Sequence, residues 1–268
     1  MTSTLPPVLL VGGGRMGAAM LAGWQAKGLA PSVVVDPSSD AAKLAGEGVL
    51  VVGTPGAIPD GFSPAVMMFA VKPQIAAEAL PAYARFNAGA LTISIMAGRT
   101  LAGLAALLGP GVAVRAMPNT PAAIGQGFTA AFAGPGVTAS QRALTDDLLT
   151  AVGEVAWLDT EQQIDAVTAV SGGGPAYVFL LAELLEAAAI EQGLPPALAK
   201  RLARRTVAGS GALLAASTET AADMRRAVTS AKGTTERALA VLMADDAWPA
   251  LMSRAIAAAT ERSRELSQ

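Results

Sequence analysis

The 268-residue sequence contains neither cysteine nor histidine. Without cysteine there are no disulfides and no thiolate nucleophile. Without histidine there is no imidazole base, and almost every transition-metal site is excluded, so no metal is expected. Charge is sparse and balanced: Lys+Arg 19 against Asp+Glu 21 leaves a formal net charge of -2. That balance offers no basic surface for nucleic acid or anionic lipid, so neither a nucleic-acid nor a membrane partner is expected. The apolar stretches are broken by Gly, Pro, Glu183 and Glu186, and none reads as the ~20-residue span of a membrane helix. Met1 to Pro7 lacks the basic segment and small-residue cleavage site of a secretory signal. A cytoplasmic location is therefore expected. Any chemistry must come from a bound cofactor working with Ser, Thr, Lys, Asp or Glu, on a small-molecule substrate.

The chain is long enough for one large or two moderate domains. Val8 to Val11 is a short apolar run that leads directly into Gly12-Gly-Gly-Arg-Met-Gly17, after which Ala18 to Lys27 has helical texture. Further β-branched or apolar runs follow at Val33 to Asp36, Val49 to Val52, Val66 to Val71, Leu91 to Ile95 and Val112 to Ala116. They alternate with Ala/Leu-rich segments at Asp40 to Ala45, Gln74 to Tyr83 and Leu101 to Leu108. Strand and helix in alternation predict βαβ units and a mostly parallel sheet covered on both faces. Beyond about Asp159 the β-branched runs vanish, and helices are expected over 161–170, 177–192, 196–216, 221–228, 235–243 and 247–266. The chain is thus predicted to be an α/β protein, with a Rossmann-type dinucleotide-binding domain over 1–160 and an all-helical domain over 161–268. The helix from Tyr177 has so few polar residues that it must lie at the centre of its domain or in a subunit interface.

Gly12, Gly14 and Gly17 form G-x-G-x-x-G between a strand and a helix. In a dinucleotide fold the first glycine permits the turn, the second admits the pyrophosphate, and the third allows close helix packing, with the helix N-terminus facing the anion. Asp36 ends the next strand, where an acid accepts from a ribose hydroxyl. That points toward NADH, yet Ser38 and Ser39 could instead donate to the 2′-phosphate of NADPH, and Asp36 could merely cap a turn. The choice between NADPH and NADH stays open. Ala70-Val71-Lys72-Pro73 and Ala97-Gly98 follow strand ends, where ligands of open parallel sheets bind, although Lys72 also reads as a plain loop lysine. Arg115 to Pro121 is a proline-stiffened loop, either a rigid connector or part of a site. Ser171-Gly172-Gly173-Gly174 is a close-approach loop or a hinge. Thr229 to Thr235 precedes a helix whose N-terminus suits a carboxylate; alternatively, Thr234 is simply its N-cap.

Taken in order, these segments resemble pyrroline-5-carboxylate reductases along essentially the whole chain: Val11 to Gly17, Ala70 to Pro73, Arg115 to Pro121, Val170 to Tyr177 and Val228 to Thr235. The resemblance implies NAD(P)H-dependent reduction of 1-pyrroline-5-carboxylate to L-proline, the last step of proline biosynthesis. It implies an interleaved homodimer through the helical domain, often built into larger assemblies, with substrate between the dinucleotide and the partner's helical domain. Residue by residue, it implies coenzyme contacts from Gly12, Gly13, Gly14, Arg15, Met16, Gly17, Asp36, Ser38, Ala70, Val71, Lys72, Pro73, Ala97, Gly98 and Asn119. Substrate contacts would come from Ser171, Gly172, Gly173, Ser230, Gly233, Thr234 and Thr235, with Thr234, Thr235 and Lys72 nearest the chemistry. Two departures stand out: Gly173 replaces a serine of the usual Ser-Gly-Ser-Gly-Pro-Ala-Tyr, and Ala231-Lys232 replaces Pro-Gly in the usual Ser-Pro-Gly-Gly-Thr-Thr. A β-hydroxyacid dehydrogenase, a related imine reductase and a non-catalytic dinucleotide sensor are the alternatives. The dehydrogenase reading lacks its lysine after Gly174, and the altered Ala231-Lys232 loop sustains the sensor.

Overall fold

A computed structural model describes residues 5–267. Eight strands form one sheet: β1 (Val8–Val11), β2 (Ser32–Val35), β3 (Val49–Val52), β4 (Val66–Phe69), β5 (Leu91–Ser94), β6 (Ala113–Met117), β7 (Gly127–Ala133) and β8 (Gly153–Trp157). Their order is β3-β2-β1-β4-β5-β6-β7-β8. Every neighbouring pair is parallel except β6 and β7. The chain winds outward from β1 in one direction and from β4 in the other, so a crevice opens between the carboxyl ends of these two strands.

Alternation of side chains along the strands divides the core in two. Leu10, Val34, Met68 and Ile93 lie in register across four strands and join one buried cluster. Leu9, Val33 and Met67 line up one residue earlier and join the other. Because side chains in a strand alternate with period two, these predominantly apolar strands must be covered on both faces. Helix α1 (Arg15–Ala26) contributes Met20, Leu21 and Trp24 to the first cluster. The single turn α2 (Ala76–Ala79) and helix α3 (Leu101–Leu108) contribute Ala76, Leu104 and Leu108 to the second. The Trp24 indole donates to the Leu148 carbonyl at 2.8 Å, tying α1 to α4 (Ala139–Leu149).

Two local expectations need correction, and three elements stand where the sequence reading placed none. These elements are strands β7 and β8 and helix α4, which carry no β-branched run; in Gly-Phe-Thr-Ala-Ala-Phe-Ala only Phe and Thr favour a strand, and pairing on both sides holds it. The segments expected as helices at 40–45 and 74–83 are mostly 3-10 turns. The continuous helical run 163–191 is, by length and composition alone, apolar enough to cross a membrane, contrary to the reading that no such span exists.

The remaining helices are α5 (Gln163–Val167), α6 (Gly174–Glu191), α7 (Pro196–Ala216), α8 (Ala221–Ala227), α9 (Thr234–Leu242) and α10 (Trp248–Leu266), with a π-helical turn over Thr168–Gly172. By backbone contacts the chain divides into two compact units, 1–172 with 259–268, and 173–258. In the second unit α6 packs along α7. Even so, α6 has no buried residue, and Val178, Phe179, Leu180, Leu184, Leu185 and Ile190 are exposed along it. Of the two placements open to this helix, a central one is therefore excluded within one chain.

Candidate active site

The glycine-rich turn lies at the crevice between β1 and β4. Gly12 has φ +101, and a Cβ there would press on the Ala70 carbonyl and Val71 nitrogen at 2.8 to 2.9 Å. A Cβ on Gly17 would drive into the Gly12 carbonyl oxygen. Gly14, by contrast, has nothing within 4 Å of a Cβ position. It is the N-cap of α1, and no side chain caps that helix. The first turn of α1 therefore presents free N–H groups and the positive end of its dipole to an open space, which is what a pyrophosphate requires. Arg15 is exposed at the helix start, whereas the Met16 side chain packs against the first apolar cluster, leaving its backbone to face a ligand.

Asp36 follows β2. Its Oδ2 accepts the Gly13 N–H at 2.6 Å, and its Oδ1 accepts the Ser38 N–H at 2.8 Å. Ser38 is the cap of the following 3-10 turn, its hydroxyl oxygen accepting the Asp40 N–H at 3.3 Å. Asp36 thus does accept from a turn, as the competing reading held, but from the glycine-rich turn as well. Its charge also reaches Tyr83, whose phenol is pushed up to about 12, first by burial and then by the Asp36 carboxylate.

Two strand-end loops meet on the other side of the crevice. Lys72 is exposed and caps the Pro73–Ile75 turn without a side-chain bond. The Pro73 carbonyl accepts from Arg99 Nε at 3.1 Å and Nη2 at 2.7 Å. Arg99, overlooked in the sequence although it follows Gly98 directly, therefore fastens the loop after β5 to the loop after β4. Ala70 and Val71 pack against the apolar clusters. Gly98 has φ +67 and is packed under Leu266, which a Cβ would meet at 2.8 Å.

Asn119 joins the coenzyme and substrate candidates. Its Nδ2 donates to the Ser171 hydroxyl at 3.1 Å, and its Oδ1 accepts the Phe128 N–H at 2.9 Å. Behind it, Arg115 is buried in β6, and its Nη1 donates to Glu161 Oε1 at 3.2 Å. The same oxygen takes the Leu101 N–H at 2.8 Å. Arg115 Nε and Nη2 are buried without partners. Glu161 is a second residue that sequence inspection did not mark, because its partners lie 46 and 60 positions away.

The second unit holds the remaining candidates. Gly233, not Thr234, is the N-cap of α9, and no side-chain bond caps the helix. This corrects the reading of Thr234 as a cap. Thr234 and Thr235 are exposed in the first turn. Ser230 turns the chain into that helix, its carbonyl accepting the Gly233 N–H at 3.1 Å. Lys232 occupies a left-handed conformation, φ 60, and its N–H donates to Glu236 Oε2 at 2.7 Å. Gly173 is the residue before α6 and makes no side-chain cap.

Comparison with known proteins agrees with this geometry. The model of the pyrroline-5-carboxylate reductase dimerisation domain matches residues 161–266, and that of NADP oxidoreductase, coenzyme F420-dependent, matches 7–98. A pyrroline-5-carboxylate reductase of Pseudomonas aeruginosa is 39% identical over 98% of this chain and 97% of its own. A solved pyrroline-5-carboxylate reductase from Coxiella burnetii superposes with a TM-score of 0.89 at 32% identity, covering 98% of this chain and 99% of that one. A Plasmodium falciparum pyrroline carboxylate reductase with NADP bound gives 0.84 at 25% identity, covering 99% of both. This chain belongs to the pyrroline-5-carboxylate reductase family.

Proposed function

We propose that this protein reduces 1-pyrroline-5-carboxylate to L-proline with NAD(P)H. The observation that carries the reading is similarity over almost the full length to reductases of that name, across both the glycine-rich crevice and the uncapped start of α9. Bound NAD(P)H would supply a hydride to the imine carbon, and a proton goes to the ring nitrogen. The residues at hand fit such a coenzyme: Gly14 and the free N–H groups of α1 for the pyrophosphate, Asp36 for the adenosine ribose, and the loops at Ala70–Pro73 and Ala97–Gly98 beside the nicotinamide.

The chemistry asks little of acid–base residues, which suits a chain without histidine. A protonated imine is already electrophilic, so holding the reactants in line supplies most of the rate. Thr234, Thr235 and the N–H groups of α9, with Ser230 and Gly233 shaping the approach, hold the substrate carboxylate and address the ring nitrogen; solvent or a threonine hydroxyl relays the proton. Asn119 orients Ser171, and Lys72, Gly172 and Gly173 border the substrate. In this reading residues 1–160 carry the coenzyme, and residues 161–268 carry the substrate loop and the subunit contact. A second copy of the chain covers the apolar face of α6, forming a homodimer or a larger assembly of dimers, and the enzyme works in the cytoplasm.

The test is loss of reduced-nicotinamide absorbance when purified protein meets pyrroline-5-carboxylate, with L-proline identified as product. Coenzyme binding without turnover would return the protein to the class of dinucleotide sensors.

A further inference from the structure

We infer that Asp36 makes this enzyme select NADH over NADPH. The inference deepens the proposed function and rests on it, since it concerns the coenzyme of the same site. A carboxylate at the end of β2 discriminates only if its charge is kept where the adenosine ribose is received. An aspartate free to swing into solvent could make way for a 2′-phosphate. Here both oxygens are engaged, Oδ2 by the Gly13 N–H at 2.6 Å and Oδ1 by the Ser38 N–H at 2.8 Å. The first bond ties the carboxylate to the glycine-rich turn itself, 23 residues away in sequence. Each carboxylate oxygen has a second lone pair, so the anchored group can still accept from the two hydroxyls of an unphosphorylated ribose.

The segment after β2 offers a 2′-phosphate no unpaired cation, only the neutral hydroxyls of Ser38 and Ser39. Ser38 spends its N–H on Asp36, and its hydroxyl oxygen caps the next turn. From Asp36 to Leu44 two carboxylates stand against one ammonium, and that ammonium, Lys43, is paired with Asp40 at 2.6 Å. Arg15 lies at the start of α1, beside the pyrophosphate turn that either coenzyme uses. A phosphate at the ribose would thus stand well within the screening length of about 8 Å from a fixed like charge. Like charges brought that close cost affinity, whereas a hydroxyl there gains a charge-assisted bond.

The experiment is equilibrium binding, independent of turnover. The affinities of NADH and NADPH, and of ADP-ribose and 2′-phospho-ADP-ribose, which carry no nicotinamide, are measured for the full-length protein and for Asp36→Ser and Asp36→Asn. Expected is a preference of at least about tenfold for the unphosphorylated member of each pair. That preference should fall close to parity in Asp36→Ser and by an intermediate amount in Asp36→Asn, which retains an acceptor but no charge. The ratio within each pair is the readout, because loosening of the glycine-rich turn would weaken both members alike. Equal or tighter binding of NADPH by the unaltered protein, or an unchanged ratio in Asp36→Ser, overturns the inference while leaving the reductase reading intact. Failure of every nucleotide to bind overturns both.

Discussion

Replacing Gly14 by valine should separate coenzyme binding from folding. The backbone at Gly14 has φ -65 and ψ -172, which any residue adopts, and no atom lies within 4 Å of the Cβ position. The fold should therefore accept the valine sterically, and the gain of about 0.4–1 kcal/mol from a stiffer unfolded chain should be offset by a loss of similar size from replacing a glycine N-cap with a β-branched residue, leaving net stability nearly unchanged. The isopropyl group, however, fills the space in front of the uncapped first turn of α1. If the pyrophosphate takes two charge-assisted bonds there, at about 1.5–3 kcal/mol each, their loss raises the dissociation constant by about two to four decades. Gly17→Ala supplies the contrast, since its Cβ drives into the Gly12 carbonyl and should cost about 1–3 kcal/mol of stability. Fluorescence titration with NADH and NADPH, beside urea unfolding at one fixed protein concentration, measures both quantities. A folded Gly14→Val variant that binds either nucleotide within about twofold of the parent would refute the assignment of this space to the pyrophosphate.

Thr234→Ala with Thr235→Ala should lower kcat/KM for pyrroline-5-carboxylate by about one to three decades, or about 1.4–4 kcal/mol, with coenzyme affinity barely moved; full activity in the double variant would move the substrate site elsewhere. Glu161→Ala should destabilise the fold by about 3 kcal/mol, toward the low end for a broken buried pair because Glu161 is 21% exposed, since it leaves Arg115 charged, buried and unpartnered. In urea unfolding, a cost below about 1 kcal/mol would show the pair to be dispensable. Lys232→Gly should stabilise by about 0.5–1 kcal/mol by relieving a left-handed lysine. A lower melting temperature in that variant would mean that the lysine side chain makes up for its backbone.

The first six strands were legible in the sequence because Val, Ile, Leu and Met cluster in short runs at Val8, Val33, Val49, Val66, Leu91 and Val112. The glycine-rich turn was legible for a related reason: backbone collisions of the kind found at Gly12 and Gly17 leave glycine as the residue that fits. Strands β7 and β8 were not legible, since neither carries a β-branched run: β7 is held by neighbours on both sides, and β8, at the edge of the sheet, by β7 alone. The candidate substrate loop could be located by its pattern, but not that Gly233 caps α9 and leaves both threonines uncommitted.

Composition by itself excluded cysteine and histidine chemistry, and local spacing placed a dinucleotide turn; both depend on residue identity and on contacts a few positions apart. Tertiary structure alone decided that Asp36 is anchored to Gly13, that Arg99 joins two strand-end loops through Pro73, and that Glu161 shares one oxygen between Arg115 and Leu101. It also decided that the apolar length of α6 lies uncovered within one chain. A hydrogen bond depends on distances of about 3 Å and on direction, and those are set by how the sheet is wound, so partners separated by 23 to 60 residues leave no periodic trace in the sequence.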